Sequence, residues 1–473
     1  MNLKNCCDER TKNLVVASFC TSLLLFASAP AGTIQNIALA ESTDIDLSVG
    51  YYSEVVKTVA GIVGAIIFHP VHKLVGIKVT ALLSTVLVTG NYWVMVWIVN
   101  KYMLYFGAAL CGMGWGALWV LWPMVVVENS AGEKSQRNMG YWFMSMSIGT
   151  LMGGLANYFY FEGVTKISSK NRVMLYTTCA GVTMFTSLVA AFGITDIKKS
   201  SKRHQPLKDE DTETVSQDDL DEVTYSTKGG EADVNIMMPR KPSVVNKVKD
   251  WFKVMTKKAG LKEGLDWFKV MARIPAFWFL VIPLIYWGFI WGYFMKILPT
   301  ATASISDQRN LIPLTSVING VCTLVGSSTW NLLSKITNNI FCIMFASAML
   351  LASIILSILI FPKGAASELL ALGSAETYIT PDSIHVAVIC ALIGLADSGV
   401  SIIYFTTAGR IYGHEPALGF ATNAIGYYVF YICSMFSPSL FDLHTYCYCM
   451  IASVVAMCLV FPFGLRKYLD NNE

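Results

Sequence analysis

The sequence predicts an all-α integral membrane protein with twelve transmembrane helices in two six-helix halves. Three observations carry this. Hydrophobic residues make up 54% of the 473-residue chain and charged residues only 14%, where a soluble domain carries about 25% charged residues. Mean hydropathy is +0.52. Twelve apolar stretches, each long enough to cross a bilayer, are split six and six by one polar insert.

In the first half the apolar stretches run over 14–38, 52–68, 79–99, 102–127, 139–161 and 173–194. The first is preceded by Arg10 and Lys12 and contains Ala27-Ser28-Ala29, a pattern resembling a signal-peptide cleavage site. Pro30 follows that site directly and apolar character continues to Ala40, so a retained helix is expected. Its polar residues are Gln35 and Asn36. The second stretch carries Glu54 and Lys57, one turn apart on one face, and is expected to hold them as a local ion pair snorkelling to its outer end. The fourth and fifth carry the small-residue pairs Gly112/Gly116 and Gly149/Gly153, spaced for close helix packing, and the fifth also carries Asn157.

In the second half the stretches run over 276–298, 310–333, 339–361, 384–409, 418–440 and 446–465. The seventh has another small pair, Gly288/Gly292, the eighth carries Asn319 and the eleventh Asn423. The tenth holds Asp397 about thirteen residues in, some 20 Å along a helix and near mid-membrane. A carboxylate in that place is costly and is the strongest candidate in the chain for proton coupling, or else for a fixed interhelical hydrogen bond. Asp397, Gln35, Asn36, Asn157 and Asn423 form the candidate central-cavity set.

The remaining segments are a cytosolic N-terminus (1–13), a cytosolic linker (195–275) and a cytosolic tail (466–473). With both termini in the cytosol, 27 of the 35 Lys and Arg residues fall inside, and Lys57 lies within a span. The linker is acidic and expected to be disordered in its first part, then basic. Its basic part repeats Asp-Trp-Phe-Lys-Val-Met at 250–255 and 266–271, and 240–275 has the amphipathic pattern of a surface that binds anionic lipid or calmodulin. Cys6 and Cys7 are candidates for lipidation. Nothing suggests nucleic acid as a partner. No nucleotide loop, zinc motif, nucleophile elbow or cofactor motif is present, so an enzyme is the class least expected. Plasma and endosomal membranes suit these spans equally.

Six spans plus six with a long connector is also the layout that the major facilitator superfamily resembles, in which two halves rock about a midplane site. After the second span, His69, Lys73, Gly76 and Lys78 keep the spacing of that superfamily's gating loop, with Lys73 where an acidic residue belongs; Arg137 lies in the corresponding later loop. A closer resemblance rests on Gln35-Asn36, Gly50-Tyr51, Gly112-x-Gly114-x-Gly116-Ala117-Leu118-Trp119, Glu128-Asn129-Ser130, Arg137-Asn138-x-Gly140-x-Trp142, Asn157 and Gly394-Leu395-Ala396-Asp397. In these the chain resembles the Uncoordinated ninety-three family, across both halves but not the linker. It departs at Trp122-Pro123, where the family usually has Gln-Gly, and at Ser401-Ile402-Ile403, where a more polar stretch is usual. The resemblance implies a non-enzymatic accessory subunit of an ion channel, expected to be a potassium channel. A secondary transporter of a small solute and a receptor-trafficking chaperone are the alternatives.

Overall fold

The computed structural model describes residues 9–43, 45–130, 134–195, 275–303, 310–366, 377–411 and 416–468. Cys6, Cys7 and the lipid- or calmodulin-like segment 240–274 lie outside the described residues. The described part is helical, with no strand. Twelve long helices follow one another: α1 (Glu9–Ser42), α2 (Ser48–Phe68), α3 (Leu74–Val96), α4 (Lys101–Glu128), α5 (Lys134–Tyr160), α6 (Ser169–Gly193), α7 (Pro275–Gly292, continued by Tyr293–Ile297 and Leu298–Ala303), α8 (Leu311–Ile336), α9 (Asn339–Ile360), α10 (Ser383–Ile411), α11 (Pro416–Leu440) and α12 (Leu443–Tyr468).

Helices form here because a chain in hydrocarbon must satisfy its backbone polar groups internally. They stop where side chains can take over the first free amides. Asn100 accepts from the Met103 amide at 3.0 Å, Asn338 from Phe341 at 2.7 Å, and Asp442 from Thr445 at 2.7 Å. Between α2 and α3 the backbone runs on almost helically and is broken at Gly76, whose φ of 81° favours glycine. The loop motif of His69, Lys73, Gly76 and Lys78 is therefore a kinked corner with its hinge at Gly76. Lys78 is half-buried there, the Lys73 side chain is outside the described ones, and Arg137 is exposed at the start of α5.

Successive helices run antiparallel, so the bundle has a terminal end and a far end. At the terminal end, Asn13 of α1 donates to the Thr195 carbonyl and to Asn129, gathering α1, α4 and α6. At the far end the Ile167 amide donates to Glu41, Ser169 to the Ser42 carbonyl, and buried Arg172 to the Met95 carbonyl.

The expected small-residue pairs all lie at helix contacts. A side chain at Gly112 or Gly116 would strike the carbonyl of Lys57 or Gly61, so α2 and α4 meet backbone to backbone. Gly149 and Gly153 meet α1 at Ser22 and Phe26, while Gly288 and Gly292 meet α11 at Phe430 and Ser434.

The halves join along two seams. Gly154 and Leu151 of α5 meet Val317 and Gly320 of α8, and Gly61 of α2 meets the Tyr428 ring of α11. Ten of the twelve helices are apolar and long enough by themselves to cross a membrane. The two that are not, α5 and α11, each contribute to a seam, where protein rather than lipid covers much of the surface. Large apolar side chains such as Phe106, Phe159, Phe192, Leu332 and Phe463 lie on the outside of the bundle, the expected arrangement where lipid is the solvent.

Candidate functional site

Two adjoining cavities lie between the halves. The first, about 820 Å³, is lined by Asp397, Ser401 and Phe405 of α10, Trp287 and Trp291 of α7, Asn319 of α8 and Asn423 and Tyr427 of α11, with Trp119, Phe143 and Leu25 from the N-terminal half. The second, about 690 Å³, is lined by Glu54, Lys57 and Thr58 of α2, Trp115 of α4, Lys296 of α7 and Tyr427, Tyr428 and Tyr431 of α11. Leu25, Trp119, Trp291 and Tyr427 line both, so an aromatic wall separates the cavities and is shared by them.

Asp397 sits at the middle of α10, fourteen residues from either end. Trp287 Nε1 donates to its Oδ1 at 2.8 Å, and the Tyr286 and Ser401 hydroxyls lie close by without a hydrogen bond of their own. Its remaining accessible surface faces the cavity that it lines. All three neighbours are neutral, and among the described residues Asp397 forms no ion pair.

Glu54 is different. Its side chain is 1% exposed, so it does not snorkel as the sequence led us to expect. Lys57 Nζ lies 3.0 Å from Oε2, as the one-turn spacing anticipated, and Lys296 Nζ lies 2.9 Å from Oε1, reaching across from the other half. Lys296 also donates to the Gly32 carbonyl at 2.9 Å and to Gln35 Oε1 at 3.3 Å, while Gln35 Nε2 donates to Ser53 at 3.2 Å. Nearby, Tyr51 of α2 donates to Thr300 of α7 at 3.4 Å.

Gln35, Glu54 and Lys296 each stand about seven residues, some 10 Å along a helix, inside the far end. Together they form a polar clamp between α1, α2 and α7. Lys296 lies inside the seventh apolar stretch, 276–298, and was not singled out there; it is 2% exposed and within the bundle. Its signal was legible, a lone cation inside an otherwise apolar stretch. It lies in the one π turn among the described residues, Tyr293–Ile297, where the extra residue widens α7 and re-aims its side chains.

Toward the terminal end a second cross-half contact is aromatic. Phe405 of α10 packs on Phe143 at 5.1 Å and on Trp142 at 6.1 Å between ring centroids, and on Trp287 at 5.0 Å. Asp397 thus stands between a charged cluster toward the far end and a ring cluster toward the terminal end.

Of the candidate cavity set, Asp397 and Asn423 line the first cavity and Gln35 joins the clamp. Asn36 packs on Gly50, where a side chain would strike its amide, and Asn157 donates to its own helix at the Gly153 carbonyl, 2.8 Å away. Neither lines either of these two cavities.

The sequence profile of the Major Facilitator Superfamily matches residues 14–438. The chain belongs to the major facilitator superfamily. It is accordingly a multi-pass integral membrane protein built of two halves. Among solved structures it is similar in fold to a peptide transporter POT in complex with sulfate, at 13% identity and TM-score 0.62, covering 97% of this chain and 95% of that one. It is also similar to a POT family transporter in complex with 5-aminolevulinic acid, at 12% identity and TM-score 0.62, covering 96% of each chain. A third is a peptide transporter POT variant in complex with alafosfalin, at 12% identity and TM-score 0.62, covering 97% and 96%. At such identities the likeness is one of fold.

Proposed function

We propose that this chain is a secondary transporter of a small solute, with the two cavities as its path and both termini in the cytosol. The observation that carries the reading is Asp397: a carboxylate at mid-membrane, on a cavity wall, hydrogen-bonded by the Trp287 indole and in no ion pair among the described residues. A group so placed can take up and release a proton as solute enters and leaves, because no fixed cation holds it in one state. The clamp at the far end and the Phe405 cluster at the terminal end supply two closures on either side of it, which alternating access requires. Solved structures of similar fold include transporters holding small solutes, which supports the reading at the level of fold.

The test is flux. The purified full chain is reconstituted in liposomes containing a pH-sensitive dye and challenged with a panel of amino acids, dipeptides, small carboxylates and small amines. At least one should drive a pH change that Asp397→Asn abolishes.

The channel-subunit reading implied by the family resemblance has one observation in its favour. The clamp ties both halves through Glu54, which takes one lysine on each carboxylate oxygen, as suits a scaffold that holds one conformation. Its result would be no flux with any of the panel and a near-stoichiometric channel subunit on affinity purification from native membranes.

A further inference from the structure

We propose that the second cavity is the binding subsite for a carboxylate, and that the solute is a small organic anion with an apolar, ring-sized body. The anion is received by Lys57 and Tyr428. This rests on reading the two cavities as a solute path and adds to it the chemistry of the solute.

Hydrogen-bond capacity separates the two lysines. An ammonium has three donors. Lys296, on the same cavity wall, has three acceptors around it, Glu54, the Gly32 carbonyl and Gln35, and its side chain is only 1% exposed. Lys57 has Glu54 alone among the described residues, and its side chain is 30% exposed and lines the cavity. Glu54 has given one oxygen to each lysine, so the cluster carries one net positive charge, and Lys57 is where that charge meets open space.

Independently, Tyr428 is among the residues lining the same cavity, and its buried hydroxyl has no hydrogen-bond partner among the described residues. An unmatched buried hydroxyl is costly, and a bound carboxylate would satisfy it. The Tyr428 ring seats against Gly61, where any side chain would collide with it, so its place is fixed by the α2–α11 seam.

The remaining wall sets the body of the ligand. Trp115, Trp119, Trp291 and Tyr427 line the cavity, and the last three continue into the first one toward Asp397. Flat apolar faces accept an apolar or aromatic body, and the carboxylate of Asp397 disfavours a second anion at that end. Anion at one end and apolar body between rings is therefore the shape the walls specify.

The test uses the purified full chain in nanodiscs and four matched probes: phenylacetate, phenylacetamide, phenylethylammonium and phenylalanine. Binding is read by the shift in melting temperature and by isothermal titration. Phenylacetate should bind at least about tenfold more tightly than phenylacetamide. Lys57→Gln should remove that advantage while leaving phenylacetamide unchanged, Lys57→Arg should restore most of it, and Tyr428→Phe, which keeps the ring and the fold, should weaken phenylacetate by about threefold or more. Equal binding of phenylacetate and phenylacetamide, or unchanged phenylacetate affinity in both Lys57→Gln and Tyr428→Phe, would overturn the proposal. If phenylethylammonium binds best and Asp397→Asn alone abolishes it, the carboxylate subsite is wrong while the transport reading stands. Binding by none of the four also overturns it, and the dye-flux panel then decides the transport reading separately.

Discussion

Glu54 and Asp397 are both carboxylates inside the membrane-spanning bundle, and their surroundings are opposite. Glu54 is walled in by two ammonium groups, each on its own oxygen, whereas Asp397 has an indole and two hydroxyls and opens onto a cavity. The difference teaches how one chemical group serves two ends. With its counter-charges fixed in place, Glu54 holds one ionisation state and acts as a structural tie between the halves. Asp397 has only neutral partners, so a proton or a cation arriving from the cavity can change its state without breaking the fold.

The contrast can be broken by removing charge at each place. Glu54→Gln leaves the buried Lys296 ammonium without its counter-charge and next to Lys57, and should be the most damaging substitution, costing about 3–5 kcal/mol. Low yield and a lowered melting temperature in detergent would be its measures, and rescue by adding Lys296→Met would show that the unpaired cation is the cause. Lys296→Met by itself leaves the Glu54–Lys57 pair intact, so about 2 kcal/mol is expected. Its specific effect is on the far-end closure: a cysteine placed at buried Thr300 should react faster with an impermeant maleimide when Lys296 is gone. An unchanged labelling rate would mean that the clamp does not hold the halves together.

Asp442 sharpens the scale from outside the bundle. It caps α12 through the Thr445 amide, a bond that also holds its carboxyl below the ordinary carboxylate value. Asp442→Ala should cost about 1 kcal/mol. The depressed value places the stabilisation at neutral pH and removes it as pH falls through the acid range, so wild type and variant should converge in melting temperature at low pH. Asp397→Asn should have the smallest effect on stability, under about 1 kcal/mol, because the Trp287 indole can donate to an amide oxygen as well as to a carboxylate. Its effect on pH-driven flux should be large. A collapse in stability instead would make Asp397 a structural residue like Glu54.

Much of the architecture could be read before any folding was known. The order of helices, the Glu54–Lys57 pair, the glycine contacts at Gly112, Gly149 and Gly288 and the mid-helix place of Asp397 all depend on neighbours within a few turns or on the apolar length a bilayer demands. The site was legible only in part. Asn36 and Asn157 looked like cavity residues, because an intramembrane amide shows its cost in the sequence but not the direction in which it points. Lys296 was not among the candidates, because a cation near a helix end ordinarily snorkels outward, and nothing local says that a π turn aims it inward.

By itself the sequence determined that this protein is a twelve-span membrane bundle in two halves, because hydropathy and helical rise are properties of short segments measured against a fixed solvent thickness. Only the tertiary structure decided that Lys296 meets Gln35 across 261 residues of chain, that Tyr428 and Lys57 share a cavity, and that Asp397 faces open space without a cation. Those are relations between segments. They are set by which faces pack together when the two halves close, and no single helix contains them.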